Sequence, residues 1–154
     1  MELNRDFSDL LRAFLSEGVE FLVVGAHALG VHDRPRATKD LDVWIRAEPR
    51  NAGRAWRALA SFGAPLDTLS IEDLTDEDTV FQIGVAPIRI DVLTAITGVE
   101  FDEAWPKRVE VERDGLLVPF IGVDAFLKNK DATGRDQDRI DAARVRRRLR
   151  GDVT

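Results

Sequence analysis

Asp40-Leu41-Asp42-Val43-Trp44-Ile45 alternates acidic and apolar residues over its first four positions. In a β-strand successive side chains point to opposite faces. Asp40 and Asp42 therefore share one face, while Leu41, Val43 and Ile45 point the other way into a core. Two bare carboxylates on one strand face repel each other, and they are best tolerated when a divalent cation sits between them. Ile88-Arg89-Ile90-Asp91-Val92-Leu93 repeats the alternation and brings a third acid, Asp91, on a second strand. Three acids on two strands suggest a site for hard metal ions that handle phosphates.

The remaining periodicities place helices and strands around these two segments. Phe7, Leu10, Leu11, Phe14 and Leu15 recur at helical spacing, with Asp6 or Ser8 as caps and Gly18 as a stop. Residues 20–24 read as a buried strand that runs into Gly25, and a second helix is expected over 26–31. Residues 34–39 form a basic, proline-broken loop. Residues 51–62 predict an amphipathic helix ended by Gly63, and a helical turn is expected within 70–78. Residues 80–85 and 88–93 predict a hairpin around Ala86-Pro87. A second hairpin, 108–112 with 116–120, is expected around Asp114-Gly115. Residues 101–105 predict a turn of helix, 123–130 begin helically, and 136–149 form a terminal helix. The order is that of a mixed α/β (α+β) fold in one domain, residues 1–154, with antiparallel pairs in its sheet, flanking helices and helices at the C-terminus.

Composition narrows the class. A chain of 154 residues is long enough for one real core, and 44% hydrophobic with 32% charged residues is the balance of an ordinary globule. It contains no cysteine, which excludes disulfides and thiolate metal sites and suits a reducing cytoplasm. No apolar run reaches membrane-spanning length, and the first residues carry no signal-peptide pattern, so a cytoplasmic protein is expected. The net charge of −6 does not indicate a basic nucleic-acid binder, although residues 144–150 are densely cationic and 72–78 acidic. That cationic run reads as a solvated helix face or, alternatively, as an RNA contact.

Val23-Val24-Gly25-Ala26-His27-Ala28, then Arg36-Ala37-Thr38-Lys39-Asp40-Leu41-Asp42, then Arg89-Ile90-Asp91 together resemble the DNA polymerase β-like nucleotidyltransferase superfamily. More narrowly, they are similar to its small bacterial members, a group that includes toxin-type enzymes of abortive-infection systems. The likeness extends to Asn129-Lys130-Asp131-Ala132-Thr133-Gly134-Arg135, Asp138 and Asp141. One departure is Ala26, where the family commonly carries Gly or Ser.

The resemblance implies transfer of a nucleoside monophosphate from an NTP to a hydroxyl, with release of pyrophosphate. It implies two divalent ions, Mg²⁺ or Mn²⁺, held by Asp40, Asp42 and Asp91, with Asp91 also a candidate to take the hydroxyl proton. Gly25 and Ala26, at a strand-to-helix junction, suit close approach of a phosphate to free backbone amides. Arg36, Thr38, Lys39, Lys130 and Arg135 are further phosphate candidates. Each residue also has a structural reading. Asp91 pairs with Arg89 along its own strand, His27 packs inside a helix, and Lys130 and Arg135 serve helix-end electrostatics. The acceptor is open: a tRNA end, a protein side chain or a small molecule such as an antibiotic. Antibiotic-modifying members normally add a helical domain, so a short chain points to a macromolecular acceptor, or to completion by self-association or a partner. The toxin reading adds an antitoxin. The alternative function is a non-catalytic nucleotide-binding or regulatory protein on the same fold.

Overall fold

A computed structural model describes residues 4–33, 40–85 and 88–151. Helix α1 (Arg5–Ser16) starts where the Asn4 side chain accepts a hydrogen bond from the Asp6 amide, and it buries Phe7, Leu10, Leu11 and Phe14. Strand β1 (Phe21–Val24) is buried along its whole length and passes directly into α2 (Gly25–His32). Strand β2 (Asp40–Ile45) carries the first two acids. Helix α3 (Pro49–Phe62) begins with proline in its first turn, is capped by Glu48, and ends at Gly63 in the left-handed conformation.

A short 3₁₀ turn (Glu72–Thr75) precedes strands β3 (Val80–Ile83) and β4 (Arg89–Leu93). Then come α4 (Phe101–Ala104), the hairpin β5 (Val109–Arg113) with β6 (Leu116–Phe120), and helices α5 (Val123–Thr133) and α6 (Asp136–Leu149). The expected elements are all present, with ends shifted by a few residues. The largest shift is in α5, which runs to Thr133 and stops at Gly134.

The six strands form one mixed sheet in the order β3-β4-β2-β1-β6-β5. The strands of both expected hairpins pair antiparallel, with the Ala86-Pro87 turn itself outside the described residues, and β1 pairs antiparallel with β2. The β2–β4 and β1–β6 pairs are parallel. The first of these sets the site, because it places β4 beside β2 in fixed register.

One hydrophobic cluster joins α1, α3 and the strands. Leu41, Val43 and Ile45 lie in it as the alternation requires. Trp44, on the acid-bearing face, is also buried and meets Phe101 edge-on at 5.0 Å. That face is therefore open only over the first half of β2. At the opposite end of the strand, buried Asn51 ties the chain together, accepting from the Glu20 amide and donating to the Glu20 and Arg46 carbonyls. Such a satisfied buried amide fixes where β2 ends relative to β1. No helix among the described residues is long and apolar enough to cross a membrane.

Candidate active site

The parallel register of β2 and β4 sets Asp40 beside Arg89 and Asp42 beside Asp91. Since alternate residues share a face, these four side chains form a compact charged quartet of three carboxylates and one guanidinium. Arg89 Nε lies 3.2 Å from Asp91 Oδ1, and an Arg89 terminal nitrogen lies 3.7 Å from Asp40 Oδ2. The first contact has the distance of an ion pair without the direction of a hydrogen bond. Arg89 Nε and Asp91 Oδ1 are both buried without a hydrogen-bond partner among the described residues.

Gly25 closes the quartet from the side of β1. Val24 is in register with Asp42, and Gly25 follows with φ +72° as the first residue of α2. A Cβ there would overlap Asp42 Oδ2 and stand 3.2 Å from its carboxyl carbon. The glycine is thus required twice, by its backbone conformation and by the carboxylate pressed against it. The side chain that meets this helix start is the Asp42 carboxylate. Gly25→Ala should lower stability by about 2–3 kcal/mol, through the left-handed backbone and the steric overlap. Urea denaturation of the variant checks this, and pairing it with Asp42→Ala should recover part of the loss because the overlapping group is gone.

Burial raises the Asp42 pKa to about 6, with the charges of Asp91 and Asp40 adding to it and those of Arg89 and Lys130 opposing. Burial also raises Asp91, against the pull of Arg89. A carboxyl whose folded pKa lies above its unfolded value binds its proton more tightly when folded. Its contribution therefore favours folding at low pH and is lost as pH rises from about 4 through about 6. For Asp42 the loss is no more than about 3 kcal/mol, at 1.36 kcal/mol per pKa unit. Asp138 has the opposite sign. Burial works against it, but hydrogen bonds from Thr133 and Lys130 hold its pKa below the usual value. It stabilises above about pH 4, and that contribution is lost as pH falls through its lowered folded pKa. Without added metal, stability should peak in mildly acid solution. A series of urea midpoints against pH reads this, and Asp42→Asn should flatten the fall on the alkaline side.

Of the phosphate candidates, Ala26 is the second residue of α2, directly after Gly25. Arg36, Thr38 and Lys39 lie outside the described residues. Lys130 is buried on α5 and close enough to Asp42 to lower its pKa. Its Nζ donates to Asp138 Oδ1 at 2.9 Å, stands 3.8 Å from Asp141 and rests 5.3 Å from the centre of the Phe126 ring. Arg135, largely exposed, donates from Nε to Asp138 Oδ2 at 2.8 Å. His27 is packed edge-on against Phe7, and burial lowers its pKa. In the cationic tail, Arg144 and Arg148 pair with Asp33, and Arg146 with Asp131, so much of that charge is answered within the chain.

The quartet fits a divalent cation in its chemistry. Its donors are all hard carboxylate oxygens, they are in charge excess, and Asp91 Oδ1 is a buried acceptor that no donor among the described residues satisfies. Among the described residues no three ligating side chains already converge on a single point. A cavity of about 680 Å³ lies farther along the sheet, lined by Trp44, Arg46, Glu48, Thr94 and Phe101, and none of the three acids lines it.

No known family profile matches the chain, and no curated protein matches it by sequence. Solved structures do match its fold. A Thermotoga maritima protein assigned as a nucleotidyltransferase superimposes with a TM-score of 0.53 at 15% identity, covering 99% of this chain and 98% of that one. The lincosamide antibiotic adenylyltransferase LnuA, solved with lincomycin, gives a TM-score of 0.58 at 12% identity over 94% of this chain and 97% of its own. The antibiotic-resistance factor ANT(2'')-Ia, in complex with adenylyl-2''-tobramycin, gives 0.58 at 16% identity over 93% of this chain and 86% of its own.

The chain has the nucleotidyltransferase fold. Two roles were not read from the sequence. Arg89 reaches Asp40 as well as Asp91, which its position two residues before Asp91 would have signalled only with the β2–β4 register known. Asp138 and Asp141 hold Lys130, and nothing in a single helical sequence shows that their carboxylates are buried.

Proposed function

We propose that this protein is a metal-dependent nucleotidyltransferase that moves an NMP group from an NTP to a hydroxyl acceptor and releases pyrophosphate. The observation that carries the reading is the pairing of Asp42 with Asp91 in register across β2 and β4, with Gly25 pressed against Asp42 at the start of a helix. Asp40, Asp42 and Asp91 would hold Mg²⁺ or Mn²⁺, two ions in the full reading. When bound, the metal supplies charge neutralisation at the attacking and leaving oxygens. Asp91 is the group to accept the proton of the attacking hydroxyl, since its pKa is raised above that of a free carboxylate. The start of α2, with Gly25 and Ala26, offers backbone amides to the triphosphate. Arg36, Thr38, Lys39, Lys130 and Arg135 are the side chains to neutralise phosphate charge. Lys130 is the best placed of those described, through its influence on Asp42.

The nucleotidyltransferase-fold enzymes LnuA and ANT(2'')-Ia modify small antibiotics, which favours a small-molecule hydroxyl as acceptor. A toxin that modifies tRNA and is silenced by an antitoxin is a second version of the same chemistry. The deciding assay incubates each α-labelled NTP and Mg²⁺ or Mn²⁺ with total RNA, with cell protein, and with hydroxyl-bearing antibiotics in parallel. Label should pass to one acceptor class and vanish with Asp42→Ala. Nucleotide bound without turnover in every mixture would favour the non-catalytic alternative.

A further inference from the structure

The acid quartet already contains a cation. Asp40, Asp42 and Asp91 bring three negative charges together on one sheet face, and only Arg89 carries positive charge within the quartet. Its guanidinium reaches Asp91 at 3.2 Å and Asp40 at 3.7 Å, one carboxylate on each strand. Arg89 is about one-third exposed, although its Nε is buried. Its contact with Asp91 is poorly directed, leaving Nε and Oδ1 without hydrogen-bond partners among the described residues. Charge-assisted pairs that serve stability are short and well aligned. This one has the proximity of a pair without the alignment.

We infer that Arg89 is the resident counter-ion of the metal-free site and gives up Asp40 and Asp91 when a divalent cation binds. This rests on the metal-dependent reading above and deepens it. A guanidinium supplies one charge where a divalent ion supplies two, so exchange answers more of the three carboxylates' charge than Arg89 does. The competition sets a threshold: the acids take up metal only at concentrations that displace Arg89. The freed guanidinium stays within reach of whatever anion the metal brings with it. Arg89 is in these terms a positioning residue, acting through the carboxylates.

The test is Mn²⁺ binding to the full chain, read by titration calorimetry, for the wild type, Arg89→Met, Arg89→Lys and Asp42→Asn. Arg89→Met should bind Mn²⁺ at least tenfold more tightly than wild type. Without metal its melting temperature at pH 7.5 should fall below wild type, so its Mn²⁺-induced rise should be the larger of the two. Arg89→Lys keeps the charge but offers a single point donor to two carboxylates, and its affinity should fall between them. Asp42→Asn should lose binding. Unchanged or weaker affinity in Arg89→Met overturns the inference and leaves the metal reading intact. Arg89→Lys indistinguishable from wild type overturns the bridging. Mn²⁺ binding by neither wild type nor Arg89→Met overturns the metal reading and the inference with it.

Discussion

Asp42→Asn should be harder to unfold than the parent protein and unable to transfer nucleotide. The two effects have one origin. In the folded chain Asp42 is pressed between Gly25 and two other acids, and its pKa is raised to about 6 by burial and by Asp91 and Asp40. Above that pH the protein carries an unfavourable charge that unfolding would release. Replacing the carboxylate with an amide of the same shape removes that charge. The gain at pH 7.5 should be no more than about 3 kcal/mol, or several degrees in melting temperature for a domain of this size. Activity should fall about a hundred- to a thousandfold, the loss that follows removal of one preorganised group stabilising transition-state charge. Thermal melts and label transfer on one preparation read both. Undiminished transfer would move the chemistry away from these acids. A variant less stable than wild type would mean that Asp42 is held by contacts that outweigh its repulsion.

The second large effect is expected at Lys130. Its ammonium is buried, donates to Asp138 and stands near Asp141, with both carboxylates almost entirely out of solvent. Removing one partner of a buried charged group typically costs about 3–5 kcal/mol, because the other charges remain desolvated. Lys130→Met should therefore lose about that much, a large share of the total for a single domain. Asp138 keeps Thr133 and Arg135 as donors, so the added variant Asp141→Asn should return part of the loss. Urea denaturation of the three proteins gives the coupling. A loss under 1 kcal/mol in Lys130→Met would show that water replaces the ammonium. In that case the Lys130 side chain is held loosely enough to serve a phosphate instead.

The elements that carry their own local signal were legible. Alternation marked β2 and β4, helical spacing marked α1, and α6 is found over the residues its pattern predicts. The need for glycine at position 25 was legible as a junction, but its physical reason was not. The atom that excludes a Cβ belongs to Asp42, which lies on the neighbouring strand. Trp44 shows the same limit. Alternation puts it on the acid face, yet Phe101, more than fifty residues later, buries it. Register and strand order depend on contacts between distant segments, and no window of sequence holds them. For this reason the three acids could be named from sequence while their pairing, and the guanidinium between two of them, could not.

The sheet order has a consequence for how the chain is made. Strands β1, β2 and β4, which hold all three acids, are complete by residue 93, while Lys130 arrives on α5 after the last hairpin. Synthesis therefore exposes the acidic cluster before Lys130, whose charge opposes the rise in the Asp42 pKa, exists, and parallel pairing across some fifty residues is slow to form. Arg89 travels on the same strand as Asp91 and is present from the moment β4 leaves the ribosome. The nascent sheet can pair with Arg89 already answering part of its acidic charge, and the later helices pack onto a β2–β4 register that is already set.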